Sequence, residues 1–235
     1  TRKESSAASD VYKRQMKNIL CFGDSNTYGL IPGVNGRYEW GVRWTSLLDR
    51  RVRKSGYRVV EEGLCGRTTV FEDAVRQGRK GLSWLPVLLE AHSPIDIVVL
   101  MLGTNDCKTL YHADAETIAD GMESLVEVVR TFDPKIEIVV VSPIALGEGV
   151  GAEGYDPEFN ENSVWVSRGL PETYRQVAKK WNSHFLAASD YAEPSVTDRE
   201  HMDVEGHYHF AKGIGDLIEK IIRKQEQNRN LLSVS

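Results

Sequence analysis

The chain alternates short apolar runs with longer stretches in which apolar residues recur every three or four positions. A short apolar run bounded by glycine or small polar residues is typical of a buried strand, and recurrence at helical spacing predicts a helix. The pattern therefore predicts five strands, each followed by a helix. The strands fall at residues 19–22, 57–62, 95–102, 136–141 and 184–188, and the helices at about 42–54, 82–92, 115–131, 171–182, and from 205 or 210 to 224.

The run at residues 95–102 is the most hydrophobic in the chain. Such continuity suits a central parallel strand that is buried on both faces. Strands that alternate with helices imply an α/β protein with right-handed crossovers. We therefore predict a flavodoxin-like three-layer sandwich, in which a parallel sheet of about five strands in the order 2-1-3-4-5 carries helices on both faces.

The two ends of the chain differ from the part between them. Residues 1–15 are polar and lack the apolar centre of a secretory signal, so we interpret them as a non-native or disordered extension before Met16. Residues 16–226 are predicted to form a single domain, and residues 227–235 a polar tail that frays. Within the domain, residues 146–168 lack a clear period, and a connection of this length is typically functional or mobile.

Composition and charge narrow the classes of partner. The chain has 235 residues and a formal net charge of −5, which argues against a nucleic acid or an anionic membrane surface as a partner. No apolar run approaches the roughly 20 residues that span a bilayer. The three cysteines are an odd and sparse set that indicates a reducing compartment. The predicted location is the cytoplasm.

Three predicted strands end in polar turns that contain glycine, at Ser25, Gly66 and Asn105. The predicted strand order makes these three strand ends neighbours at one edge of the sheet, where α/β proteins bind ligands. Ser25 can supply a nucleophilic hydroxyl and its own N–H, Gly66 a second backbone N–H, and Asn105 a side-chain amide. Each residue alone is equally well explained as a turn or cap residue. A functional site is predicted because the strand order brings all three to the same edge of the sheet. Together they are the donors that an oxyanion requires.

A nucleophilic serine needs a general base, and the chain offers six histidines. His201 follows Asp198 by three residues in a predicted loop between the last strand and the last helix. One helical turn there can place the carboxylate against one ring nitrogen and leave the other for Ser25. The alternatives are a turn or cap aspartate and a surface histidine. The predicted catalytic residues are therefore Ser25, Asp198 and His201.

Two readings without a serine nucleophile stay open. The cluster of His201, Asp203, His207 and His209 could hold a divalent ion, but it matches no recognised helical zinc spacing, and we predict no metal. A flavin-binding module of the same fold would use the turn after Ser25 to cradle a phosphate. That alternative gives no role to Asn105 or to the Asp198–His201 pair, and we predict no cofactor.

Four blocks of the chain resemble, in order, those of the SGNH or GDSL-type hydrolases. Residues 23–26 read Gly-Asp-Ser-Asn, Gly66 falls where the family places an oxyanion glycine, residues 103–106 read Gly-Thr-Asn-Asp, and residues 198–201 read Asp-Arg-Glu-His. The sequence at residues 62–69 most resembles the bacterial arylesterase and acyltransferase branch of that family. The resemblance implies a flavodoxin-like fold, a Ser–His–Asp triad, no cofactor, and hydrolysis of small esters. It departs at Asn26, where the motif that names the family has leucine.

The resulting prediction is a serine esterase for small, short-acyl esters, such as acetyl or aryl esters and acetylated sugars. The alternatives are a thioesterase or lysophospholipase of the same family and a non-catalytic ligand-binding module. Asp24, Tyr28 and Trp165 are the predicted substrate-binding residues. The predicted partners are a small-molecule ester and further copies of the chain. The second partner is implied by the resemblance, because members of that family vary in the segment that corresponds to residues 146–168 and often form oligomers there.

Overall fold

Five parallel strands form one sheet in the computed structural model of the protein, which describes residues 16–232. The strand order is β2-β1-β3-β4-β5, which confirms the predicted α/β class and topology. The predicted extension at residues 1–15 and the last three residues of the predicted tail lie outside the described residues. The strands are β1 (Lys17–Gly23), β2 (Tyr57–Gly63), β3 (Ile97–Met101), β4 (Glu137–Ser142) and β5 (His184–Ala187).

Helices cover both faces of the sheet and complete the predicted three layers. The α-helices of the described chain are α1 (Ser25–Tyr28), α2 (Trp44–Val52), α3 (Gly81–Ala91), α4 (Ala115–Phe132), α5 (Glu161–Lys180) and α6 (Val204–Leu232). Alternate side chains of β3 face opposite cores: Val98 and Leu100 pack with α3, α4 and α5, whereas Val99 and Met101 pack with α2 and α6. All five residues of β3 are buried, as expected for a central strand. No helix among residues 16–232 is both long and apolar enough to cross a membrane.

Two helix boundaries differ from the prediction. The fourth long helix, α5, begins at Glu161, and Pro171 lies inside it rather than in its first turn. The start is fixed by a capping box, because Asn160 accepts a hydrogen bond from the Ser163 N–H and the Ser163 hydroxyl accepts one from the Asn160 N–H. Buried residues on both sides of Pro171 hold the helix together despite the missing proline N–H. The irregular connection is therefore shorter than residues 146–168.

The last helix, α6, also extends beyond its predicted end. It begins at Val204 and continues to Leu232, whereas the apolar period that predicted it ends near residue 224. The extension is anchored where the hydroxyl of Tyr57, in β2, donates a 2.8 Å hydrogen bond to the Gln225 side chain. A tertiary contact of this kind prolongs a helix past the point where its own periodicity ends.

The carboxyl ends of β1, β2 and β3 lie level with one another, which brings the turns after them together. Gly23 at the end of β1 pairs with Gly63 of β2 and with Met101 of β3. Gly63 is required by close approach, because a Cβ there would lie 2.2 Å from the backbone nitrogen of Tyr28 in α1. The sheet edge therefore places the predicted nucleophile turn between the two turns that follow β2 and β3.

Candidate active site

Ser25 is the first residue of α1, in a turn held by its own backbone. Asp24 caps this short helix by accepting a 3.0 Å hydrogen bond from the Asn26 N–H, and the Ser25 carbonyl accepts one of 2.8 Å from the Gly29 N–H. Burial raises the pKa of the Asp24 carboxyl to about 6, against the opposing effect of the Asn26 N–H. The turn presents the Ser25 hydroxyl at the sheet edge.

His201 and Asp198 complete a hydrogen-bonded relay with Ser25. The Nε2 atom of His201 lies 2.9 Å from the Ser25 hydroxyl oxygen, and its Nδ1 atom lies 2.8 Å from Oδ2 of Asp198. The same Oδ2 accepts a 3.1 Å hydrogen bond from the Gly33 N–H, and Oδ1 accepts bonds from the backbone N–H groups of Glu200 and His201. The structure therefore brings the three predicted catalytic residues together in the order that general-base catalysis requires.

The charges in the relay favour an ionised Asp198 and a basic His201. Burial alone would raise the pKa of Asp198, but its hydrogen bonds from the His201 ring and from backbone N–H groups lower it below the ordinary value. Burial alone would lower the pKa of His201, but the hydrogen bond to Asp198 and the negative charges of Glu200 and Asp198 raise it. The imidazole is thus prepared to accept a proton and to be stabilised as the imidazolium.

The predicted oxyanion donors lie in the turns after three adjacent strands, β1, β2 and β3. Gly66 adopts a φ of +83°, a left-handed conformation that favours glycine. Among the described residues, no acceptor bonds the backbone N–H of Ser25 or of Gly66. The Asn105 amide donates one hydrogen bond, of 3.1 Å, to the Arg67 carbonyl, and an amide has a second N–H to offer. Three donors are therefore available for a developing negative charge.

Buried polar groups lock these turns to one another. The Arg67 guanidinium donates to the carbonyls of Gly23 and Glu62 at the ends of β1 and β2. Burial lowers the pKa of Arg67 to about 10, against the attraction of nearby carboxylates. The Asp106 carboxylate accepts hydrogen bonds from both the N–H and the hydroxyl of Thr69, which joins the turn after β2 to the turn after β3. The positions of Gly66 and Asn105 thus depend on a continuous network.

Asn26 is a site residue that sequence reasoning recorded only as a departure from the family motif. Its Oδ1 atom accepts a 2.9 Å hydrogen bond from the Met202 N–H, and its Nδ2 atom donates one of 3.4 Å to the Glu200 carbonyl. Its own carbonyl accepts a bond from the indole N–H of Trp44. Asn26 therefore ties the nucleophile turn to the loop that carries His201. The available signal was an amide, with both donor and acceptor, at a position where the motif has an apolar residue.

A cavity of about 340 Å³ opens beside Asp198 and His201. Apolar side chains from the loop after α1 form one wall, and carboxylates from two other loops form much of the remainder. Glu200, which sequence reasoning did not select, is among the carboxylates. The lining residues are Leu30, Ile31, Gly33, Val34, Gly154, Tyr155, Asp156, Thr197, Asp198, Glu200 and His201.

The structure does not place the three predicted substrate-binding residues in this cavity. Asp24 is fully buried below the nucleophile turn, where it acts as the cap. Tyr28 carries the Arg37 guanidinium over its ring, 4.2 Å from the centroid, and is absent from the cavity wall. Trp165 lies on α5 with 71% of its surface exposed and also does not line the cavity.

The histidines near the C-terminus do not converge on a metal site. His207 is fully buried, accepts a 3.4 Å hydrogen bond from the Trp44 N–H, and has its pKa lowered to about 4 by burial. His209 is exposed and faces Glu205 at 3.4 Å. Among residues 16–232, no group of three or more His, Cys, Asp or Glu side chains could hold a metal ion. His201 is therefore separated from the other two by its contacts with Ser25 and Asp198.

Comparison with known proteins finds relatives that cover most of the chain. The sequence model of the GDSL-like Lipase/Acylhydrolase family matches residues 21–212. A carbohydrate acetylesterase from Sinorhizobium meliloti is similar at 32% identity and a TM-score of 0.81, over 87% of this chain and 99% of that one. The aryl esterase of M. smegmatis is similar at 28% identity and a TM-score of 0.78, over 87% and 99%. No curated protein sequence matched the chain.

Proposed function

The chain belongs to the GDSL-like lipase/acylhydrolase family, and on that premise we propose that it is a serine esterase that hydrolyses small, short-acyl esters through an acyl-enzyme. The observation that carries this proposal is the unbroken relay from Ser25 through His201 to Asp198, with contacts of 2.9 and 2.8 Å. The names of similar structures, carbohydrate acetylesterase and aryl esterase, support acetyl esters of sugars and phenols as the substrate class.

The acylation step uses each group of the relay once. The Ser25 oxygen attacks the ester carbonyl carbon while His201 Nε2 takes the hydroxyl proton. The carbonyl oxygen becomes an oxyanion, which the N–H groups of Ser25 and Gly66 and the Asn105 amide stabilise. The ester C–O bond then breaks, and the imidazolium returns its proton to the leaving alcohol. Asp198 keeps the ring oriented and balances its positive charge.

Deacylation repeats the sequence with water as the nucleophile. Water occupies the position vacated by the alcohol and gives a proton to His201 Nε2 as its oxygen attacks the acyl carbon. The bond between the acyl carbon and the Ser25 oxygen breaks, and Ser25 recovers its proton from the imidazolium. The products are a carboxylic acid and the free enzyme. The same three donors serve both steps, because the oxyanion forms at the same place.

Replacement of the nucleophile tests this proposal. We expect Ser25→Ala to lower the kcat for p-nitrophenyl acetate by on the order of a thousandfold or more, since catalysis by a triad collapses when one member is lost. The matched control is Ser124→Ala on α4, whose hydroxyl donates to the Asp120 carbonyl of its own helix and to no other group of residues 16–232. A Ser25→Ala enzyme that retains more than about a tenth of the wild-type kcat would overturn the proposal.

A further inference from the structure

Glu200 is a buried carboxyl that the proposed reaction does not use. Its side chain is only 9% exposed, and Oε1 lies 3.5 Å from Nε2 of His201. Within the described part of the chain, the side-chain carboxyl of Glu200 accepts no hydrogen bond. It nevertheless lines the cavity beside Asp198 and His201. Its oxygens are not among the fully buried, unpartnered side-chain atoms of the described chain, so they open into the cavity, where a ligand can reach them.

The cavity that Glu200 faces is acidic. Asp156 and Asp198 also line it, and together with burial, which is the largest cause, their charges raise the pKa of Glu200 to about 7. The guanidinium of the adjacent Arg199 does not line the cavity: it donates a 2.8 Å hydrogen bond to the Glu148 carbonyl and stacks on the ring of Tyr155, which does line it. Among the described residues that line the cavity, there is no lysine or arginine.

The position of the cavity identifies which part of the ester it would receive. His201, which returns a proton to the leaving alcohol, lines the cavity, whereas the three oxyanion donors Ser25, Gly66 and Asn105 do not. The cavity therefore lies on the alcohol side of the reacting carbonyl. Leu30, Ile31 and Val34 also line the cavity and supply apolar surface for carbon atoms of that alcohol.

We infer that this cavity selects esters whose alcohol carries an ammonium group, and that the Glu200 carboxylate is the residue that recognises it. The inference rests on the proposed function and names the substrate class of the same site. An ammonium N–H supplies the hydrogen bond that Glu200 lacks, and its charge relieves the repulsion among Glu200, Asp156 and Asp198. A neutral alcohol of the same shape neither donates a hydrogen bond to Glu200 nor reduces the repulsion among the three carboxylates.

The test compares two acetate esters that differ at one atom. Protonated 2-(dimethylamino)ethyl acetate and 3-methylbutyl acetate have the same branched shape, with N–H⁺ in one and C–H in the other. We measure kcat/KM for both at neutral pH by titrating the released acetic acid, after subtraction of the spontaneous rate. The expected ratio in favour of the ammonium ester is about tenfold, the value of one charge-assisted hydrogen bond that is partly open to water.

Two variants separate recognition by Glu200 from a general effect of negative charge. Glu200→Gln should reduce the ratio to within about threefold of unity, since the amide keeps the shape but not the charge. Glu153→Gln removes an exposed acid of the loop that carries Asp156 but does not line the cavity, and should keep the wild-type ratio. Because each enzyme is scored by a ratio, a change in overall activity does not affect the comparison.

A second measurement needs no variant. The alcohols themselves, 2-(dimethylamino)ethanol and 3-methylbutanol, are tested as inhibitors of p-nitrophenyl acetate hydrolysis by the wild-type enzyme, and the protonated amine should inhibit about tenfold more strongly. Equal inhibition, or an ester ratio near unity in the wild type, would overturn the inference while leaving the esterase intact. Failure of the enzyme to hydrolyse p-nitrophenyl acetate would instead overturn the proposed function, and the inference with it.

Discussion

The proposed oxyanion donors Gly66 and Asn105 follow strands that flank β1, whereas the proposed general base, His201, contacts Ser25 from a loop 176 positions along the chain. Gly66 and Asn105 follow β2 and β3, whose ends pair directly with the end of β1. Asp198 and His201 follow β5, at the far edge of the sheet. The ladder of backbone hydrogen bonds therefore positions the first pair and does not position the second.

Individual hydrogen bonds instead hold the base loop, which is the loop between β5 and α6 that carries Asp198 and His201. The Met202 N–H binds the Asn26 side chain at 2.9 Å, the Gly33 N–H binds Asp198 at 3.1 Å, and the Arg199 carbonyl accepts a 2.8 Å bond from the Gly147 N–H. Each bond joins the loop to a different segment. The oxyanion half of the site, with Gly66 and Asn105, is thus positioned by the sheet. The base half, with Asp198 and His201, depends on a few side chains and loop contacts that single substitutions can remove.

Among the substitutions that distinguish the two halves of the site, the largest loss of kcat is expected in the half that holds the proposed oxyanion donors. Asn105→Ala removes a donor that binds the oxyanion only after it forms, so kcat should fall on the order of a hundredfold or more while KM changes little. The measurement is steady-state hydrolysis of p-nitrophenyl acetate. A kcat within about fivefold of the wild type would exclude Asn105 from the oxyanion hole.

Thr69→Val provides the matched control for this substitution. Thr69 joins the same two turns through Asp106 but offers no donor to the oxyanion. Its loss should lower the free energy of unfolding by about 1–3 kcal/mol, because a buried carboxylate loses a hydrogen bond. The kcat of this variant should fall by less than about tenfold, which distinguishes loosened turns from a missing donor.

A smaller effect is expected when the base loop is released from the nucleophile turn. Asn26→Ala removes the bonds to Met202 and to Glu200, so His201 is held less accurately against Ser25. We expect kcat to fall by about tenfold, since misplacement of a catalytic group from outside the reacting atoms has effects of this order or larger. The measurement is kcat together with the free energy of unfolding.

Asn18→Ala is the matched control at the opposite end of β1. Asn18 is also buried, and its amide donates to the carbonyls of His92 and Pro94. Both variants should lose about 1–3 kcal/mol of stability, because each removes two hydrogen bonds between a buried side chain and backbone groups. Only Asn26→Ala should also lose kcat. An equal loss of kcat in the two variants would assign Asn26 a purely structural role.

The same difference between the two halves explains what could be predicted from sequence. Ser25, Gly66 and Asn105 were found because apolar runs mark strands, and parallel strands carry their polar turns to one edge. The histidine predicted as general base and its aspartate partner were selected by their local spacing, since Asp198 and His201 are one turn apart. Each of these signals lies within a few residues of chain, or follows from the order of the strands.

The residues that were missed make contacts whose partners no local signal identifies, although the amide of Asn26 does depart from the family motif. Asn26 and Glu200 matter because of what lies opposite them after folding, and neither periodicity nor a short motif records this. The start of α5 had a local signal, the capping box of Asn160 and Ser163, but Pro171 gave a competing one that buried contacts override. Prediction from sequence was thus most complete where the sheet does the positioning.

The pH dependence of the base half follows from the charges around His201. The groups acting on it are Asp198, Glu200 and Asp24, each of which raises the pKa of the imidazole. Burial first, then the charges of Asp156, Asp198 and Asp24, raise the pKa of Glu200 to about 7, so Glu200 and His201 titrate as a coupled pair. The base acts when neutral, and activity therefore rises with pH through the raised pKa of His201.

The smallest predicted effect is a shift of this pH profile in Glu200→Gln. Without the negative charge of Glu200, the pKa of His201 falls, and the acid limb of kcat/KM for the neutral ester p-nitrophenyl acetate should move to lower pH. The shift should be about half a pH unit, because Glu200 is itself largely protonated on the acid side of neutrality and exerts only part of its charge there. Glu153→Gln, which removes an exposed acid, should leave the limb in place. A limb that stays fixed in Glu200→Gln, or moves to higher pH, would mean that Glu200 does not act on His201 through its charge, and that Asp198 and Asp24 set the basicity of the imidazole without it.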